Sequence, residues 1–172
     1  MNDNKILPLN DVLQYTNDDI IDRFLGTYSI PEKVVLNIFT ETKKWLWLLA
    51  VAKKERENGC YVPRLVIDDF LVFIDEMWHN FILFTHEYTE FCHKYFGFYI
   101  HHNPTPPRVK KIIQTRLNNL IGFEEIIEKR REQYSYIYDK LGATTLKLWY
   151  SDWSDLYTPE YFVTRDKRLI YL

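Results

Sequence analysis

The sequence is short of the residues that mark several large classes of protein. It holds two cysteines, Cys60 and Cys92, in 172 residues, too few for the disulfide framework of a small secreted domain. Five glycines and seven prolines leave little punctuation for a many-stranded sandwich and favour long regular elements. No apolar run approaches the roughly 20 residues that span a bilayer: WLWLLAVA stops at Lys53-Lys54 and FLVFI stops at Asp75-Glu76. Neither sign of charge dominates. With 22 Lys and Arg against 24 Asp and Glu the net charge is −2, which argues against nucleic acid or an anionic membrane as a partner. The N-terminus lacks a basic flank followed by an apolar run, so no signal peptide is expected and the reading is a soluble, cytoplasmic protein.

What the chain does have is aromatic side chains, 17% of residues, within an otherwise ordinary globular composition of 47% apolar and 27% charged. The length suits one domain over residues 1–172 with a core of its own. Helical periodicity dominates, and the spacing predicts helices over about 9–26, 31–57, 69–96, 107–121 and 123–140. The third carries an apolar arc about 140° wide at 100° per residue, which reads as the central helix of a bundle. Gly97 is suited to end it, and Pro104, Pro106 and Pro107 make the following connector stiff. The tail EYFVT-RDK-RLIYL reads as a small β-hairpin packed on the helices. The expected fold is a mainly α, single-domain bundle of about five helices with that C-terminal hairpin.

All five histidines lie between positions 79 and 102, and clustered histidine points to metal or acid–base chemistry. His79, His86 and His93 are seven apart, about 10.5 Å of helical rise per step, so they cannot share one ion on a straight helix. Asp75 and His79 are i,i+4 neighbours, a spacing at which a carboxylate can orient an imidazole or ligate a metal with it. Glu76-x-x-His79 and Glu90-x-x-His93 have the spacing of di-iron bundle motifs but lie about 21 Å apart along one helix, and no matching carboxylate pair stands on the other helices. A second cluster is Cys92, His93, His101 and His102, in which Cys92 with His101 and His102 is a candidate zinc corner if Gly97 reverses the chain; against it, Cys92 falls in the apolar stripe and suits a small core residue. Cys60 with His79 lacks any local signature of a nucleophilic dyad. There is no phosphate-binding glycine loop, no H-E-x-x-H and no G-x-S-x-G.

The block Asp75-Glu76-Met77-Trp78-His79, then Thr85, Tyr88, Phe91-Cys92, Phe96-Gly97 and His101-His102 resembles the signature of the glycine-rich domain-containing-protein-like family. Tyr138, Leu141-Gly142 and Leu148-Trp149 extend the resemblance to about residues 35–150. A chain without the glycine-rich tail would be a bacterial-type member. The resemblance implies a fold rather than a reaction, and singles out Asp75, Trp78, His79, Tyr88, Cys92 and one of His101 or His102.

Two classes of function stay open on this reading. One is a helical binding or interaction domain whose Asp-x-x-Trp-His notch, Asp75, Trp78 and His79 with Tyr88, recognises a protein partner or small ligand. The other is a metal-dependent (zinc or iron) or acid–base enzyme centred on His79, with zinc as the expected cofactor. Against both stands a buried His79 tied to Asp75 for purely structural reasons.

Overall fold

Proline and short polar residues set where the helices begin. The structure, a computed structural model, describes residues 5–103, 106, 108, 111, 112, 115 and 122–169. Pro8 precedes α1 (Leu9–Leu13), and Asn17 caps α2 (Asp18–Thr27) by accepting from the Ile20 amide at 3.2 Å. The single helix expected over 9–26 is therefore two, with Tyr15 in the joint turned against Phe39, Phe81 and Phe91. Pro31 opens α3 (Glu32–Glu57), which Asn58 and a left-handed Gly59 (φ 82°) close.

Helix α3 is the hub, packing against α1, α2, α4 (Val72–Ile82) and the long helix α6 (Phe123–Lys147). It buries residues over more than half of its girth, among them Val35, Ile38, Trp45, Leu46 and Leu48. Even polar members are enclosed. The Lys43 ammonium donates to the carbonyls of Leu13 (2.8 Å) and Tyr15 (2.7 Å), closing the end of α1. Glu41 accepts from the Trp149 indole at 2.8 Å and pairs with Lys44 at 2.8 Å. The centre of the bundle is thus one element earlier than the apolar arc over 69–96 suggests.

Residues 60–68 cross to α4 without regular structure, and the Gln133 side chain stands in for a strand partner. Its amide accepts from the Val66 N–H at 2.8 Å and donates to the Val66 carbonyl at 3.0 Å. A short turn at Asp69–Leu71 then leads into α4 (Val72–Ile82) and α5 (Thr85–Phe96). These replace the continuous helix expected over 69–96. The chain leaves helical geometry at Phe84 (φ −85°, ψ 70°). An apolar arc so wide cannot bury itself along one straight face. Breaking the helix lets Phe81 pack edge-on against both Tyr88 and Phe91, with ring centroids 5.0 and 5.2 Å away. Gly97, at φ 79° and ψ 0°, ends α5 in the left-handed conformation its position predicts.

The helix expected over 107–121 lies largely outside the described residues, as do Pro104 and Pro107. Helix α6 bends at Gly142 (φ 82°, ψ 169°) and resumes to Lys147, followed by a wide turn at Leu148–Asp152 that buries Trp149 against Trp45. The C-terminal hairpin is not formed. Its first arm is instead α7 (Pro159–Val163), started by Thr158, whose hydroxyl accepts from the Tyr161 amide, and by Pro159 in the first turn. Phe162 buries itself against Phe24 and Tyr28. Among the described residues there is no strand or sheet, only an isolated antiparallel bridge between Tyr28 and Asp166, and no helix is long and apolar enough to cross a membrane. The end of the second arm, residues 170–172, lies outside the described residues.

Candidate metal centre

Asp75 and His79 occupy successive turns of α4. His79 Nδ1 lies 3.6 Å from Asp75 Oδ2, with the His79 side chain about half exposed at 51% and Asp75 less so at 29%. The third member comes from the segment after α5: His102 Nε2 lies 2.8 Å from Asp75 Oδ1, and its side chain is only 13% exposed. The two imidazole rings are 4.5 Å apart, and the Trp78 indole meets His102 edge-on at 4.2 Å.

Three local features deliver His102 to α4. Gly97 reverses the chain, Ile100 is buried under it, and Tyr88 ties the return segment down. The Tyr88 hydroxyl accepts from the Trp78 indole at 2.9 Å and donates to the Ile100 carbonyl at 2.7 Å. One buried phenol therefore joins α4, α5 and the strip of chain that carries His102. Burial pushes the Tyr88 hydroxyl well above the usual tyrosine range, so it acts as a neutral hydrogen-bonding group.

The flanking turn of α4 is pinned to α2. Tyr28 donates to Glu76 Oε2 at 2.5 Å, and Arg23 donates to the Asn80 side chain at 2.6 Å while that side chain donates to the Ile20 carbonyl at 2.8 Å. Glu76 is thereby engaged elsewhere, and Asp75 is the carboxylate presented to the two imidazoles.

The residues singled out from sequence divide accordingly. Asp75, His79 and His102 converge, and each offers one ligand atom, with all three atoms within 4.8 Å of one another. Trp78 walls the group and Tyr88 braces it. Cys92 is buried beneath the return segment beside Tyr88 and Ile100, and burial raises its thiol above the usual range, which disfavours the thiolate a metal requires. His101 is exposed, with its ring 4.8 Å from that of Tyr99. His86 pairs with Glu90 at 3.7 Å on an exposed face, His93 is exposed, and Cys60 is an exposed free thiol. Spacing alone separates Asp75–His79 from the His101-His102 turn; in the fold His102 joins Asp75 and His79, and His101 does not. Glycine at position 97 is the signal that joins them.

The fold and this group define a helical domain carrying two histidines and one carboxylate in facing positions. Residues 71–119 match a family model described as UCP032817-like, a stretch that contains α4, α5 and all three members of the group. That match corrects the resemblance to the glycine-rich domain-containing-protein-like family, for which the block from Asp75 to His102 gives no support. No curated protein and no solved structure matches the chain.

Proposed function

We propose that the chain is a helical metal-binding domain in which Asp75, His79 and His102 hold one divalent transition-metal ion, zinc or iron, with coordination positions left open. The observation that supports it is the convergence of three ligand-type side chains from two separate stretches of chain to within 4.8 Å. Bonds of 2.0–2.1 Å to a tetrahedral zinc place its ligand atoms roughly 3.3 Å apart, so small side-chain adjustments bring this group around an ion. Three protein ligands are the pattern of sites that keep a place for water or substrate, whereas closed structural sites use four. Two imidazoles and one carboxylate also suit iron. A bound ion supplies Lewis acidity and an activated water, and the half-exposed His79 leaves that position reachable from solvent.

Without an ion, the same notch serves the second reading, an interaction domain. The 2.8 Å bond joins His102 to Asp75 and leaves His79 as the exposed member beside a carboxylate, available to a protein partner or small ligand. Titration calorimetry with zinc separates the two. The metal reading expects one ion per chain and at least about tenfold weaker binding in Asp75→Asn, His79→Gln and His102→Gln, with His101→Gln unchanged. Equal zinc affinity in wild type and all four variants overturns it and leaves the interaction domain.

A further inference from the structure

A second feature of the molecule stands apart from the metal group. The end of α3 and the unstructured segment after it enclose an open cleft of about 310 Å³, lined by Leu49, Arg56, Val62, Arg64 and Leu65. Leu49 and Arg56 are seven residues apart and so share a face of α3, while Val62, Arg64 and Leu65 come from the crossing segment. We infer that this cleft is a binding site for a small organic carboxylate with a short apolar tail.

The lining sorts into two halves. Leu49, Val62 and Leu65 are buried or half-buried and supply an apolar floor. Arg56 and Arg64 are exposed and line it with two cationic side chains. Arg56 is oriented by a hydrogen bond from Nη2 to the Pro63 carbonyl at 2.6 Å, which uses one of its five N–H groups and leaves the rest of the fork free. Among the described residues no acceptor engages Arg64.

Neither carboxylate flanking Arg56 in sequence, Glu55 or Glu57, forms an ion pair with Arg56 or Arg64 among the described residues. Glu55 accepts from Tyr136 at 2.7 Å and is ion-paired with Lys140, so its charge is spent on α6. Two arginines lining a cleft with an apolar floor match a planar carboxylate attached to a hydrocarbon, because arginine binds carboxylates in a bidentate fork and the floor takes the tail. The volume sets the size. It lies at the small end of the range for ligand pockets, which suits a tail of a few carbons or one ring rather than a long acyl chain.

The test uses hexanoate and benzoate as probes, with hexanamide as the neutral counterpart, followed by amide chemical shifts in the intact chain. Saturable shifts are expected at Leu49, Val62, Arg64 and Leu65 with both acids and not with hexanamide. Arg64→Gln, at an exposed position, keeps the helical spectrum and weakens hexanoate binding about tenfold or more. Leu65→Asn weakens it through the floor while leaving both charges in place. The inference is overturned if neither acid gives saturable shifts, if hexanamide binds as well as hexanoate, or if Arg64→Gln binds hexanoate unchanged.

Discussion

The Nε2 atom of His102 lies 2.8 Å from Oδ1 of Asp75, joining residues 27 apart in the chain. The bond forms only because the helix breaks at Phe84 and the chain turns back at Gly97. Tyr88 holds this arrangement from beneath, by bonding Trp78 on one side and the Ile100 carbonyl on the other.

Replacing Tyr88 by Phe keeps the ring and removes the hydroxyl, leaving a buried indole N–H and a buried carbonyl without a partner. Each orphaned group costs about 1–3 kcal/mol. Urea denaturation is expected to show a loss of at least about 2 kcal/mol, and zinc affinity is expected to fall because His102 is less firmly placed. A variant with wild-type stability and wild-type zinc binding contradicts the bracing role.

Two of the three buried tryptophans, Trp45 and Trp149, differ in a testable way. Trp149 donates to Glu41, whereas the Trp45 indole nitrogen has no partner among the described residues. Trp149→Phe strands a buried carboxylate oxygen and is expected to cost more than Trp45→Phe by about 1–3 kcal/mol. Both lose comparable ring area, so the difference isolates the hydrogen bond. Equal losses in thermal or chemical unfolding refute it.

The pH dependence on the alkaline side follows from burial. Desolvation holds the Lys43 ammonium down at about 8. Between that value and the ordinary lysine range near 10.4 the unfolded chain binds more protons than the folded one, so stability rises with pH over this window. Burial also raises the hydroxyls of Tyr28, Tyr88, Tyr136 and Tyr150. Above about pH 10 the unfolded chain loses those protons first, and stability falls. Denaturant unfolding is expected to show a maximum near pH 10 that disappears in Lys43→Met, and a monotonic decline from pH 8 contradicts the Lys43 contribution.

How far the sequence carries depends on whether the deciding interaction is local. Asn58-Gly59, Gly97 and Gly142 announce their turns because a positive φ is intrinsic to glycine. Asp75 and His79 are legible as neighbours because helical spacing alone puts them together. The break at Phe84 has no glycine or proline to announce it. It comes from burial of Phe81, Tyr88 and Phe91 on one another, which is tertiary, and so His102 could not be assigned to Asp75 rather than to Cys92. The tail was legible in part: Thr158-Pro159 is a helix start, but the alternation of EYFVT imitates a strand until Phe162 is seen against Phe24 and Tyr28.

The most direct test of the centre is X-ray absorption at the zinc edge of the zinc-loaded chain. Coordination by Asp75, His79 and His102 predicts a first shell of nitrogen and oxygen only, at about 2.0–2.1 Å, with the outer scattering of two imidazoles. A sulfur neighbour at about 2.3 Å, the distance of a zinc thiolate, or failure of the chain to retain zinc, contradicts the account.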